Sequence, residues 1–252
     1  MKLHTALFAT CLLLGSSSYA QFKLPTLKDM KLPGKTTTTG ITNADAVAAL
    51  KDALKIGTDT AVSVLSKADG FYKDLAVKIF LPPEAQNIQK NIAKIPGGQK
   101  MLDKAILAMN RAAEDASQEA TPIFKNAITS MTITDGINIV KGADNAATTF
   151  LRSKTYDQLK DLFTPKIRTS LSKPLVAGIS AEKAYSDLIK AYNMASLNGK
   201  LFSTIKTNSL SEHVTVKGLD GLFSKVALQE KNIRTNGLAQ VTEILRKVFG
   251  RK

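Results

Sequence analysis

The sequence is poor in the side chains on which most enzyme chemistry is built. Cysteine occurs once, at Cys11, and histidine twice, at His4 and His213. Cys11 and His4 both fall in the first twenty residues, and those read as an export signal. Lys2 and His4 form a polar start, "ALFATCLLLG" is a brief apolar core, and Ser18 and Ala20 have the small-residue spacing a signal peptidase needs. The apolar run is shorter than the roughly 20 residues that cross a bilayer. Cys11 lies inside that run with more apolar residues after it, which argues against a lipoprotein. Cleavage is therefore expected after Ala20, with residues 1–20 as signal peptide and Gln21 as the first mature residue. The expected address is outside the cytoplasm, in the periplasm, with no transmembrane segment in the mature chain. Such a chain has no disulfide, thiol nucleophile or thiolate metal site, and packing alone must hold it in an oxidising compartment.

The remaining histidine is equally restrictive. One His cannot build a two-histidine zinc site or a zincin motif. A Ser-His-Asp triad would need His213 as its base, but His213 follows Glu212 at an expected helix start, where a solvated side chain is the simpler reading. A Gly-rich phosphate loop is also missing, since "PGGQK" lacks the pattern, and no cofactor is expected. Ser-x-x-Lys occurs twice, as "SLSK" (170–173) and "STIK" (203–206), without the companion motifs of penicillin-binding enzymes. Asp157 and Asp161 share a helix face, while the neighbours Glu114 and Asp115 point apart. A glycosidase needs its two carboxyl groups about 5–9 Å apart across a cleft, and the sequence points to no such cleft. A hydrolase using carboxylates or a Ser-Lys pair is the weakest functional reading.

What is present is positive charge, +14 over 252 residues, in blocks of like sign no longer than two. The excess lies toward the ends of the chain: net +3 in 21–42, +6 in 196–252, and balance in 111–155. A cationic exported protein can lie on anionic lipid headgroups, lipopolysaccharide or acidic polymers; the same charge also keeps a surface soluble. Nucleic acid suits the charge but not the export signal, and no aromatic-basic platform is evident.

Residues 21–42, "QFKLPTLKDMKLPGKTTTTGIT", read as a flexible tether. Two Pro, two Gly and four consecutive Thr oppose helix, and "KLP" recurs at 23–25 and 31–33. The segment is a spacer or a short partner-binding arm. From Asn43 to the end, 43–252, the period is helical. Asn43 is placed to cap a helix bearing Val47, Leu50, Ala53 and Leu54, with Gly57 ending it or tolerated within it. "VKIFL" (77–81) could be a short strand, but no partner strand is in view. A helix is expected near 84–95, then a break at Pro96-Gly97-Gly98. The clearest helix follows, with Leu102, Ala105, Ile106, Met109, Ala112, Ala113 and Ala116 on one stripe. Pro122 suits the first turn of the next helix, and Thr134 the cap of a short one. Further stripes are Leu159, Leu162, Phe163 and Ile167; Ala184, Leu188, Tyr192 and Ala195 behind a Ser180 cap; Leu219, Leu222, Phe223, Val226 and Ile233; and Val241, Ile244, Leu245, Val248 and Phe249 before Gly250. Eight to ten helices and no hairpin predict an all-α, single multi-helix bundle.

Several of these segments, in order, resemble a known family. They are "ALKIGTDTAVSVLSKADGFY" (53–72), "AVKIFLP" (76–82), "MNRAAEDA" (109–116), "PIFKNAITSM" (122–131), "KGADNAATTFLRSKTYDQL" (141–159), "GLDGLFSKVALQEKNIRTN" (218–236) and "ILRKVFG" (244–250). Together they are similar to the exported bacterial family filed as domain of unknown function 4197. The resemblance implies one helical domain in the bacterial envelope and carries no activity or site residue with it.

Two places could hold polar function. In "KGADNAATTFLRSKT" (141–155), Gly142 is expected to close one helix and Asp144 to cap the next, with Lys141, Arg152 and Lys154 around them. A helix N-terminus attracts anions, but Asp144 would occupy that place. If a site exists, Arg111 and Glu114 would face Asp144, Asn145 and Arg152 across a helix packing; the alternative is an ion-pair network that sets helix register. The leading functional reading is a non-enzymatic envelope protein that binds a partner protein or an anionic lipid or polysaccharide surface. A carrier of an apolar ligand such as a lipid between helices is the second.

Overall fold

The computed structural model describes residues 42–206 and 209–250. The expected signal peptide, and the tether apart from Thr42, lie outside the described residues. The rest is all-α as expected, a bundle of α1 (Asn43–Leu65), α2 (Asn87–Asn91), α3 (Gly98–Ala116), α4 (Ala120–Ser130), α5 (Ile133–Val140), α6 (Ala146–Ser172), α7 (Ala181–Ala195), α8 (Leu210–Thr235) and α9 (Glu243–Phe249). Helix α8 is the axis: α6 and α1 pack along it, α3 joins α6 to α7, and α9 closes on α1.

The helices start where side chains satisfy their first N–H groups. At α1 the cap is Thr42 rather than Asn43. Its Oγ1 accepts from Asp45 N, and Asp45 Oδ2 accepts from Thr42 N, both at 3.1 Å. At α5 the cap is likewise Thr132, paired with Asp135, rather than Thr134. Thr-x-x-Asp makes a capping box with the shorter acid at its third position, and that reciprocal pair outcompetes a lone side chain one or two residues on. Ser180 caps α7 as expected, accepting from Lys183 N at 3.2 Å. Gly57 is tolerated within α1, which continues to Leu65. The helix expected near 84–95 is instead two single 3₁₀ turns, Pro83–Ala85 and Ile92–Lys94, on either side of the short α2.

The apolar stripes meet as their spacing predicts. Leu50, Leu102, Met109, Phe124, Phe163, Leu188, Tyr192, Leu222 and Phe223 are among those in one continuous core. The Phe124 and Phe223 rings meet edge to face at 5.6 Å. Two residues read onto stripes are outside: Leu162, because α6 buries its four-residue row Leu151, Thr155, Leu159, Phe163 and Ile167, and Val241, which precedes α9.

Residues 66–82 carry no helix yet bury Phe71, Val77, Ile79 and Leu81. The segment suspected as a strand is extended without a strand partner. The buried Asn110 of α3 takes that role: Ile79 N donates to its Oδ1 at 2.9 Å, and its Nδ2 donates to Ile79 O at 2.8 Å. Gly221 of α8 lets this connection approach, since a Cβ there would lie 2.8 Å from the Phe71 ring.

Candidate functional site

Arg111 and Glu114 lie three apart on α3 and so share a side of it. The Glu114 carboxylate is buried, and both of its oxygens are engaged. Oε1 accepts from the N–H groups of Phe71 (3.1 Å) and Tyr72 (3.3 Å), and Oε2 from Arg111 Nη1 (2.6 Å). Arg111 Nη2 reaches Asp69 at 2.7 Å. Burial pulls the Arg111 pKa down, but the hydrogen bonds that Arg111 donates to Glu114 and Asp69 outweigh it and hold the pKa above its ordinary value. Asp69 is lowered by Lys73 first and Arg111 second. It has φ 71°, a left-handed turn position that Asp tolerates. This group anchors the 66–82 connection to α3.

The other expected residues lie elsewhere. Arg152 of α6 pairs with Asp220 of α8 at 2.7 Å, its guanidinium 4.7 Å from the Tyr156 ring centre. Asp144 and Asn145 are exposed at a shallow cleft of about 400 Å³ that also holds Ser224, Lys225 and Lys231. The five residues are thus divided among three sets of partners, and the facing arrangement expected of them is not formed.

Asp144 does not cap α6. The first helical N–H groups turn to α8, where Glu230 accepts from Ala147 N (3.0 Å), Thr148 N (2.8 Å) and Thr148 Oγ1 (2.7 Å). Arg234, one turn on, donates to Glu230 from Nε (3.0 Å) and Nη2 (2.8 Å). Both side chains are at least nine-tenths buried. Sequence reasoning missed Glu230, although a signal was present: an acid lies between Val226 and Ile233 on an otherwise apolar stripe.

The catalytic alternatives find little. In "SLSK", Ser170 Oγ and Lys173 Nζ both donate to Asp115 Oδ2 at 2.5 Å. Burial raises the Asp115 pKa, but Lys173 and Ser170 outweigh it and lower it, and one carboxylate thus engages both members of the Ser-Lys pair. Asp157 and Asp161 are exposed. Among the described residues no three His, Cys, Asp or Glu stand close enough to share a metal ion. His213 is half-buried rather than solvated: its Nε2 lies 2.9 Å from Phe80 O, at the edge of a cleft of about 530 Å³ between residues 76–86 and α8. Lys78 and Lys217 line the same cleft, but Lys78 Nζ rests 4.0 Å from the Tyr72 ring centre and Lys217 approaches Asp220.

Unmatched charge gathers at the end built by α2 and the C-terminus of α7. Residues 42–250 carry 28 basic and 20 acidic side chains. Two segments, 85–102 and 188–211, hold six lysines (Lys90, Lys94, Lys100, Lys190, Lys200 and Lys206) with no acid and no arginine. They account for six of the eight excess charges. The fold joins them: Lys94 Nζ is 5.3 Å from the Phe202 ring centre and 3.0 Å from Asn91 Oδ1, and the Phe202 ring lies 4.8 Å from that of Tyr192. Beside them Met194, Leu197 and Leu201 are exposed.

A family model described as "Protein of unknown function (DUF4197)" matches residues 40–250. No curated protein and no solved structure matches the chain.

Proposed function

We propose that this chain, which belongs to the DUF4197 family, is a non-enzymatic cell-envelope protein that docks on an anionic envelope surface through its α2–α7 end. The carrying observation is the segregation of charge just described. Several surface acids elsewhere face lysines, as in Lys73–Asp69, Lys166–Glu119 and Lys183–Asp187. The joined segments hold six lysines and no acid within their own length. A basic patch near an anionic leaflet gains about 1 kcal/mol per Lys within a Debye length.

Two observations favour this over the alternatives. The apolar void between α1, α8 and α9, lined by Leu50, Leu54, Val226 and Phe249, is about 10 Å³, and the clefts of about 400, 530 and 570 Å³ each carry two or more lysines in their lining, whereas ligand pockets of that size are lined mainly by apolar side chains. Ser170, the buried candidate nucleophile, is tied to Asp115. Co-sedimentation of the purified protein with phosphatidylcholine vesicles, with and without phosphatidylglycerol, tests the reading. Binding is expected only to the anionic vesicles, to fall with added salt, and to drop at least about tenfold for Lys94→Glu/Lys200→Glu. Equal binding of that variant and the unaltered protein would refute it.

A further inference from the structure

Resting on that reading, the geometry points to a bilayer-insertion element: residues 194–201 enter the headgroup–acyl boundary of an anionic phospholipid membrane while the surrounding lysines stay at headgroup level. Met194, Leu197 and Leu201 are 75%, 56% and 64% exposed within eight residues. Other exposed apolar side chains lack this setting: Leu75 follows Asp74, and Leu238 and Val241 stand near Glu243 and Arg246.

The exposure is built rather than incidental. Asn193, at the end of α7, clamps the far side of the loop: Ile205 N donates to its Oδ1 and its Nδ2 donates to Ile205 O, both at 2.9 Å. Ser196 Oγ donates to Asn193 O (2.7 Å) and accepts from Gly199 N (3.0 Å), and Leu201 N donates to Ser196 O (3.0 Å). Ile205 and Phe202 anchor the base in the core. Between these ties Leu197, Asn198 and Gly199 have φ of 53°, 54° and 95°. Asn and Gly accept that conformation readily; Leu does so seldom and at a cost. A turn needing only the conformation is better served by Asn or Gly at 197, so a leucine held there, pointing to solvent, has its side chain as the reason.

The rim identifies the occupant. Protein interfaces favour Trp, Tyr and Arg and are depleted in Lys; within the two joined segments the charged residues are Lys alone. Lysine stems lie along apolar surface while their ammonium groups reach outward. Apolar side chains with a lysine flank are the make-up of a surface that enters about 5–10 Å into an anionic leaflet.

The chain contains no tryptophan, so Leu201→Trp supplies a single fluorophore at the tip. With phosphatidylglycerol-containing vesicles its emission is expected to shift to the blue and to be quenched by lipids brominated on their acyl chains. Vesicle binding without shift or quenching overturns insertion. Met194→Gln/Leu197→Asn/Leu201→Gln, in which Asn keeps the left-handed backbone favourable, is expected to lose about tenfold or more in vesicle binding at high salt. It should keep salt-sensitive binding to soluble polyphosphate. If this triple variant binds vesicles as the unaltered protein does while Lys94→Glu/Lys200→Glu does not, insertion fails and surface docking stands. If both variants bind vesicles unchanged, both readings fail.

Discussion

The interior of α3, α6 and α8 and the α2–α7 end treat charge in opposite ways. Inside, Glu114 and Glu230 each accept from two backbone N–H groups and pair with an arginine on their own helix, Arg111 three residues before and Arg234 four residues after. One holds an irregular connection, the other a helix N-terminus. Both are buried, and their partners are groups of the chain itself. At the α2–α7 end the loop is closed by neutral groups, Asn193 and Ser196, and the lysines stand in segments that carry no acid of their own. Buried ion pairs in this protein therefore mark structure, and lysines in acid-free segments mark the face that is open to a partner.

The largest effect that would break this contrast is at Glu230. Glu230→Ala removes the acceptor for Ala147 and Thr148 and leaves Arg234 buried without its anion, a loss of about 3–5 kcal/mol of stability. Glu114→Ala is expected to cost less, about 2–3 kcal/mol, because the more accessible Arg111 keeps Asp69. Urea unfolding of both variants measures this, and vesicle binding of the folded fraction should be unchanged. A variant with normal stability and lost binding would make the interior node a binding site after all.

A smaller effect sharpens the same contrast through two asparagines with one job. Asn110 and Asn193 each bond the N–H and C=O of an extended residue, Ile79 and Ile205. Asn110 is fully buried, so Asn110→Ala leaves two backbone groups without partner or water and should cost about 2–3 kcal/mol. Asn193 is half-buried, water can replace it, and Asn193→Ala should cost about 1 kcal/mol. Its second consequence should be larger than its first: a loosened tip and weaker vesicle binding.

This division also explains what could be read before the structure. The core of α3, α7 and α8 was legible because three- and four-residue spacing of apolar residues is a local signal. Thr42 and Thr132 were missed by one or two residues because Asp, not Glu or Gln, completes their capping boxes. The start of α6 was harder. Asp144 had the local credentials, but the acceptor came from Glu230, more than eighty residues away, and only tertiary packing brings them together. The expected grouping of Arg111, Glu114, Asp144, Asn145 and Arg152 failed for the same reason, since polar residues on helix faces do not announce which neighbour they will meet. Acid-free runs around Lys90–Lys100 and Lys190–Lys206 were visible, yet they lie about ninety residues apart, and their sum appears only when Lys94 meets Phe202.

The smallest expected effect concerns acid. Asp45 is held down to about 2 by the Lys247 ammonium first and the Thr42 backbone N–H next. A carboxyl whose folded pKa lies below its unfolded value of about 3.9 contributes its stability above that value. The contribution is lost as pH falls from about 4 through 2. Because Lys247 belongs to α9 and Asp45 to the first turn of α1, the loss should appear as faster amide exchange in α9 before the rest of the bundle opens. Asp45→Asn should abolish that pH dependence and lower the midpoint at neutral pH by about as much as acidification lowers it in the unaltered protein. The lysine end has no carboxylate within its own segments to titrate, so its affinity for a fully ionised polyanion should stay flat between about pH 3 and 5, where carboxyls titrate. A step in that range would mean that an acid from elsewhere reaches the lysines, and that the two regions are not as separate as their charges make them.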